Sequence, residues 1–283
     1  MNPKYIKFKT KKREYSIPNR WELLSPAQFR YIALLLAHYA KGNISTDDVR
    51  LFYVCFIFKI NPAKITDVEA MANLIVLASH IDFIFNKKEK VNICFLGQLV
   101  PHVRAKRKKY HGYTINTAFD TLTCSLTAAQ FIEAQETLKN GANKLPLLAS
   151  ILYCPGTYSS EKAHKLADKF LKIDPLTLQC VALNFQALVT YLFTRTHFSL
   201  LSTGDASDPV PEIATGLSET MYNLSADGMG DVEKVKQMPL IEFLTILRKK
   251  LIESVRAMHD AQMDIVEIAD KTKLSTQIIK KML

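Results

Sequence analysis

Leu24-Ser25-Pro26-Ala27-Gln28-Phe29 opens one long apolar segment, and Leu126-Thr127-Ala128-Ala129-Gln130-Phe131 opens another further along the chain. Each phrase reads as a helix start. Ser25 or Thr127 is the N-cap, and the glutamine three residues on can reach back to the backbone N–H of the cap. Pro26 suits the first helical position, where no N–H is needed. Leu24 with Phe29, and Leu126 with Phe131, can close across the cap as a hydrophobic staple. The repeat predicts two units of one plan, strand material followed by a capped helix. It fixes architecture and carries no chemistry.

Working outward from the first copy, Tyr5-Ile6-Lys7-Phe8-Lys9 and Glu14-Tyr15-Ser16-Ile17 alternate apolar and polar residues around the polar turn Lys11-Lys12-Arg13. That pattern predicts a β-hairpin with one wet, basic face, ended by Pro18. Trp21 is expected to anchor the hairpin to the helix that follows. Helical periodicity then covers Phe29–Ala40, Val49–Phe58 and Asp67–Phe85, with Gly42 and Asn61-Pro62 as stops. Asn86–Lys90 reads as a solvent loop and Val91–Phe95 as a strand. A long loop or flexible strand pair is expected over the basic tract and Tyr110-His111-Gly112-Tyr113. Further helices follow over Ala128–Asn140, Leu145–Tyr153, Ser160–Leu171 and Pro175–Phe193. After the Ser202–Pro211 linker, helices are expected over Glu212–Leu224 and Pro239–His259.

The composition agrees with a mainly α fold. Among 283 residues there are only 9 glycines and 11 prolines, and 48% are hydrophobic. The expected fold class is mainly α (α+β), helical bundles with a small N-terminal hairpin and a second short strand pair. Its divisions are 1–90, 91–201, a linker at 202–211 and a helical extension over 212–283. The apolar runs are interrupted too early for a membrane span: Leu51–Phe58 stops at Lys59, and Val181–Phe193 contains Asn184 and Gln186. The first residues lack the apolar core of a signal peptide. The 5 cysteines are scattered and odd in number, as expected for reduced thiols of a cytoplasmic protein.

The net charge is +10, and part of it is local. Arg104, Lys106, Arg107, Lys108 and Lys109 stand together with no acid among them. Such a tract suits first of all solvated loops and protected strand edges, and after that a contact with nucleic acid or an acidic partner. The chain ends in a helix-turn-helix-like phrase, Ile265–Lys280. There Ile268-Ala269 packs a first helix, Leu274-Ser275 starts a second and Ile278 faces inward. Leu274, Ser275, Thr276, Gln277 and Lys280 are the candidate residues of the second helix, which in such motifs enters the major groove. The same phrase also fits a plain amphipathic helix pair.

Chemistry-bearing patterns are few. Cys94, His102, His111 and Cys124 form a loose Cys/His series whose gaps match no structural zinc spacing. His80 and His164 read as satisfied polar groups at a core edge. Gly228-Met229-Gly230 lacks the Lys-Ser or Lys-Thr of a phosphate loop, and no serine sits in a nucleophile elbow. The expectation is a non-enzymatic protein with no cofactor and no metal.

The order of segments also resembles a family. It runs from Ile17-Pro18 and Trp21-Glu22-Leu23-Leu24-Ser25, through Leu126–Ala134 and Leu148-Ala149-Ser150-Ile151-Leu152-Tyr153-Cys154-Pro155, to Tyr158-Ser159-Ser160-Glu161 and Leu183-Asn184-Phe185. This is similar to tail-region proteins of Bacteroidetes phages and prophages, taken for tail assembly chaperones. The similarity spans Tyr5–Phe193, with echoes over Pro239–Val255. Cys154 stands where such proteins often carry a basic residue. The resemblance implies no catalytic residues. It implies a morphogenesis role in the bacterial host cytoplasm or on the virion, with a phage tail or tape-measure protein as partner and self-association as a further partner class. Apolar helix faces would make the contacts, and basic segments would steer acidic partners. The alternative is a nucleic-acid-binding protein using the 104–109 tract and the terminal segment.

Overall fold

A computed structural model describes residues 4–9, 14–118, 121–202, 224–226, 228 and 231–283. The fold is mainly α with short antiparallel strand pairs. Strands β1 (Tyr5–Lys9) and β2 (Glu14–Pro18) pair with Ile6 opposite Ile17 and Phe8 opposite Tyr15. Their predicted turn, Lys11–Arg13, lies outside the described residues. Phe8 and Tyr15 stack at 5.1 Å, and both set their edges against Phe58 at the end of helix α2 (Thr46–Phe58). The hairpin is therefore held by α2.

Trp21 does more than reach the helix that follows it. Its ring packs against Phe29, Phe83 and Phe95, and its indole N–H donates to the Asn92 carbonyl at 2.7 Å. It pins the segment after helix α3 (Val68–Ser79) onto helix α1 (Pro26–Ala40). Helix α3 also stops earlier than the periodicity predicts. Ile81, Phe83, Ile84 and Phe85 are all buried, and no single helix face can hold four apolar residues out of five. The chain leaves the helix, with Ile81 N–H bonded to the Ala78 carbonyl, and reverses over Asn86–Lys90. The strand expected at Val91–Phe95 keeps its alternation, with Ile93 and Phe95 buried, but only Val91 forms a bridge, to Phe85.

The second half holds β3 (His102–Ala105) paired with β4 (Lys108–His111), and β5 (Ile115–Asn116) paired with β6 (Thr123–Cys124). Helices α4 (Ala128–Lys139), α5 (Leu145–Leu152), α6 (Ser160–Phe170) and α7 (Pro175–Arg195) follow. The predicted linker from 203 onward and the 212–223 part of the next predicted helix lie outside the described residues. Beyond them come α8 (Val232–Gln237), α9 (Leu240–Asp260), α10 (Ile265–Thr272) and α11 (Thr276–Met282).

The two capped starts behave differently. Around Ser25 the box is complete: the hydroxyl accepts from Gln28 N–H, and the Gln28 side chain accepts from Ser25 N–H at 2.7 Å. At α4 the Thr127 hydroxyl accepts from Gln130 N–H at 3.2 Å, but the Gln130 amide turns inward to the Ile151 carbonyl. Burial redirects it, since a buried amide must find a buried partner. The N-terminus of α4 is tied down instead by the chain ahead of α9. Ala128 N–H donates to the Met238 carbonyl and Leu240 N–H to the Leu126 carbonyl, both at 2.9 Å. The four expected staple residues are all buried, Leu24 and Phe29 in one core and Leu126 and Phe131 in the other.

Helix α7 is the wall between two cores. Cys180 and Ala187 join the N-terminal core of Ile17, Trp21, Phe29 and Tyr53, while Val181, Phe185, Leu188 and Leu192 join the second core of Phe131, Leu148 and Phe170. That position explains its composition. By length and composition α7 could cross a membrane, yet its apolar surface is used by protein on both sides. The second core continues into Val235, Leu240, Phe243, Leu244 and Leu247, and the far end of α9 passes into a third small core of Val255, Ile268, Leu274, Ile279 and Met282.

Asn184 sits in the middle of this wall and is 1% exposed. Its carbonyl accepts from Leu99 N–H at 2.7 Å, and its amide donates to the Gly97 carbonyl and to the Tyr113 hydroxyl. Replacing it with a similar-sized apolar residue strands these partners. Asn184→Leu should cost about 2–4 kcal/mol in urea unfolding. A loss within experimental error would show that these bonds do not hold the 96–100 segment to α7.

Candidate functional site

The basic tract folds into the β3–β4 ribbon, whose strand pattern sorts the side chains. Val103, Ala105 and Tyr110 are buried, and Tyr110 meets Phe170 edge-on at 5.1 Å. The opposite face carries His102 across from His111 and Arg104 across from Lys109. Lys106 and Arg107 form the turn, with Lys106 at φ 55, a left-handed conformation that costs a non-glycine residue about 1 kcal/mol. Lys108 differs from its neighbours, because its Nζ rests 5.4 Å from the centre of the Tyr110 ring.

Among the described residues, no carboxylate lies within ion-pair distance of Arg104, Lys106, Arg107, Lys108 or Lys109. Opposed like charges on one strand pair cost stability. Burial, then the charges of Lys109 and Arg104, then His111, push the His102 pKa below its ordinary value. The ribbon thus brings together four of the five predicted cations and adds two histidines. The sequence reading weighed those histidines only as metal ligands. Their period-two spacing to Arg104 and Lys109 was the signal for a shared face.

The other half of that Cys/His series goes elsewhere. The Cys94 thiol lies 3.7 Å from the Thr194 hydroxyl, and Cys124 is buried in β6. Among the described residues no group of three or more His, Cys, Asp or Glu side chains is arranged to hold a metal ion. The five cysteines stand as separate thiols.

The terminal phrase forms two short helices joined at Lys273, which takes the left-handed conformation at φ 57. Asp264 caps α10 with a reciprocal box to Glu267, and Ser275 caps α11. Leu274 is buried, while Ser275, Thr276, Gln277 and Lys280 are exposed. The fully buried residue of α11 is Ile279, with Ile278 only partly covered. Ile278, the expected inward position, packs at the edge of the small core that Ile279 fills.

A second cluster was not foreseen. Glu133 on α4 accepts from the Tyr158 hydroxyl at 2.5 Å and from the Ser160 hydroxyl at 3.0 Å, and its Oε1 lies 3.1 Å from His164 Nε2. Glu133, Tyr158 and Ser160 edge a cleft of about 510 Å³ that also has Glu136, Glu161 and Glu233 on its walls. The arrangement does not form a nucleophile–base–orienter line. Ser160 and His164 bond the same carboxylate oxygen, so the histidine is not positioned to take the serine proton. Glu133 instead stitches α4 to the start of α6. His164 is exposed in this pair, and His80 is exposed at the end of α3, so neither is the core-edge group expected.

A groove of about 670 Å³ runs beside α1 and α2, past Gln28, Tyr31, Phe52, Cys55, Phe56 and Ile60. Tyr31 stacks on Phe56 at 4.2 Å, and burial raises the pKa of both Tyr31 and Cys55. The third surface of note is α3. It buries only Leu74 and Ala78, and it presents Val68, Ile75 and Val76 to solvent at 83%, 53% and 58% exposure. Glu69 is its single charged residue.

No family model, no curated protein and no solved structure matches the chain.

Burial raises the pKa of Tyr53, Tyr113, Tyr153 and Tyr158 above the ordinary value of 10.0; for Tyr158 the Glu133 carboxylate adds to the effect. The unfolded chain releases these protons first as pH rises. The stability they represent is therefore present below about pH 10 and lost above it. An ultraviolet titration should show the 11 tyrosines ionising in two groups, the second coinciding with loss of helix. A single class titrating near that pH with the helices intact would contradict the buried hydroxyl network.

Proposed function

We propose that the protein is a non-enzymatic phage or prophage morphogenesis protein, a tail assembly chaperone or minor tail component that works by protein–protein contact in the host cytoplasm. The sequence resemblance supplies the biological setting. The observation that carries the mode of action is the outer face of α3. Its three large aliphatic side chains are more than half exposed on a helix almost free of charge, outside the N-terminal core that takes Leu74 and Ala78. Exposed apolar patches of this kind serve as contact sites in other proteins. An amphipathic helix of a tape-measure or other tail protein would bury the same surface.

Burying a valine or isoleucine fully contributes about 1.5–3 kcal/mol, so charging two of them should weaken such a contact by well over tenfold. Ile75→Glu with Val76→Glu should abolish co-purification of a tail or tape-measure protein from an infected or induced host. The thermal midpoint should hold, because both side chains are already in solvent. Unchanged recovery by the double variant, or recovery of no tail protein by the native chain, would count against the reading.

A further inference from the structure

We propose that the outward face of the β3–β4 ribbon binds the sugar–phosphate backbone of nucleic acid, with Arg104 and Lys109 at its centre, His102 and His111 at one end and Lys106 and Arg107 at the turn. This is independent of the α3 contact and does not rest on it.

The first support is that the charge on this face is left without partners at a cost. Arg104 and Lys109 face each other across the strands as a like-charged pair, and among the described residues no carboxylate neutralises them. A surface selected only for solubility would mix the two signs. The second is rigidity. Val103, Ala105 and Tyr110 fix the inner face in the core, so the strands that carry the outer charges are in place before a ligand arrives. Alternate residues along a strand lie about 6–7 Å apart and partners about 5 Å apart, so the Arg104–Lys109 pair has the two histidines one step along the strands as hydrogen-bonding neighbours.

The third support separates nucleic acid from an acidic protein. Protein contacts draw most of their energy from apolar or aromatic anchors seated in pockets. The outward face offers only histidine, arginine and lysine side chains, and its apolar residues all point inward. Such a surface has no place for an anchor and suits a ligand whose charge is regular. It carries no pattern for reading base edges, so binding should be independent of sequence.

The test uses the full chain and a short mixed-sequence duplex DNA, followed by fluorescence anisotropy over a range of salt concentrations. Four phosphate contacts predict that log K falls with log salt at a slope of about −3 to −4. Arg104→Gln with Lys109→Gln should weaken binding at least tenfold and reduce that slope by about two. The same variant should melt no lower than the native protein, since the substitution removes a repulsion. Three results would each overturn the proposal: a slope near zero, unchanged binding by the Arg104/Lys109 variant, or poly-glutamate competing as well as DNA at equal charge. Loss of binding through Thr276→Ala, Gln277→Ala and Lys280→Ala, with the ribbon variant unaffected, would also overturn it and move the contact to α11.

Discussion

Helix α7 is enclosed on opposite sides by two different apolar cores, and most of the molecule is organised by that enclosure. A helix in this position has little surface left for solvent, so it is apolar over most of its length. Its one strongly polar interior residue must also bond fully. Asn184 meets that requirement through the 97–99 backbone and Tyr113. Those bonds draw the connecting segment across the wall and place the β3–β4 ribbon on the second core. Tyr153 reinforces the same crossing by donating its hydroxyl to the Val100 carbonyl. At the N-terminal end of α7, Arg30 reaches from α1 to Asp174 and Thr177, both at 2.7 Å. That pair is half exposed and contributes at most about 1 kcal/mol, so it aligns α1 with α7 more than it stabilises the fold.

The parts of the fold legible in the sequence are those set by local rules. Capping phrases placed the starts of α1 and α4, and alternation gave the first hairpin and its inward Phe8 and Tyr15. What local rules missed was decided by distant contacts. Trp21 could not be assigned to Phe83 and Phe95 from its neighbours in the chain. The early end of α3 follows from the need to bury four consecutive-range residues, Ile81 to Phe85, which a helical window scores favourably. The Gln130 side chain left its expected box because Ile151, 21 residues on, offered a buried acceptor. The pairing of residues 126–128 with 238–240 joins segments no periodicity connects.

The candidate surfaces were legible to different degrees. The basic tract was plain, but its division into an outward face and a ring-facing Lys108 needed the strand register. The α3 face was hidden by its own strength as a helical pattern, since an apolar helix reads as core until the neighbours are known to cover only Leu74 and Ala78. The Glu133 cluster was invisible because its members come from α4, from the turn before α6 and from α6 itself. Both surfaces we propose as contacts depend on the same framework: α3 packs on the N-terminal core and the ribbon on the second, on either side of α7.

Native-state hydrogen exchange resolved by residue tests that framework most directly. If α7 is the shared wall, its central amides exchange only through global unfolding, and both flanking cores lose protection in the same step. The opposite result would be an N-terminal core that opens separately while α7 and the second core stay protected, and it would mean that the two halves are stable without each other.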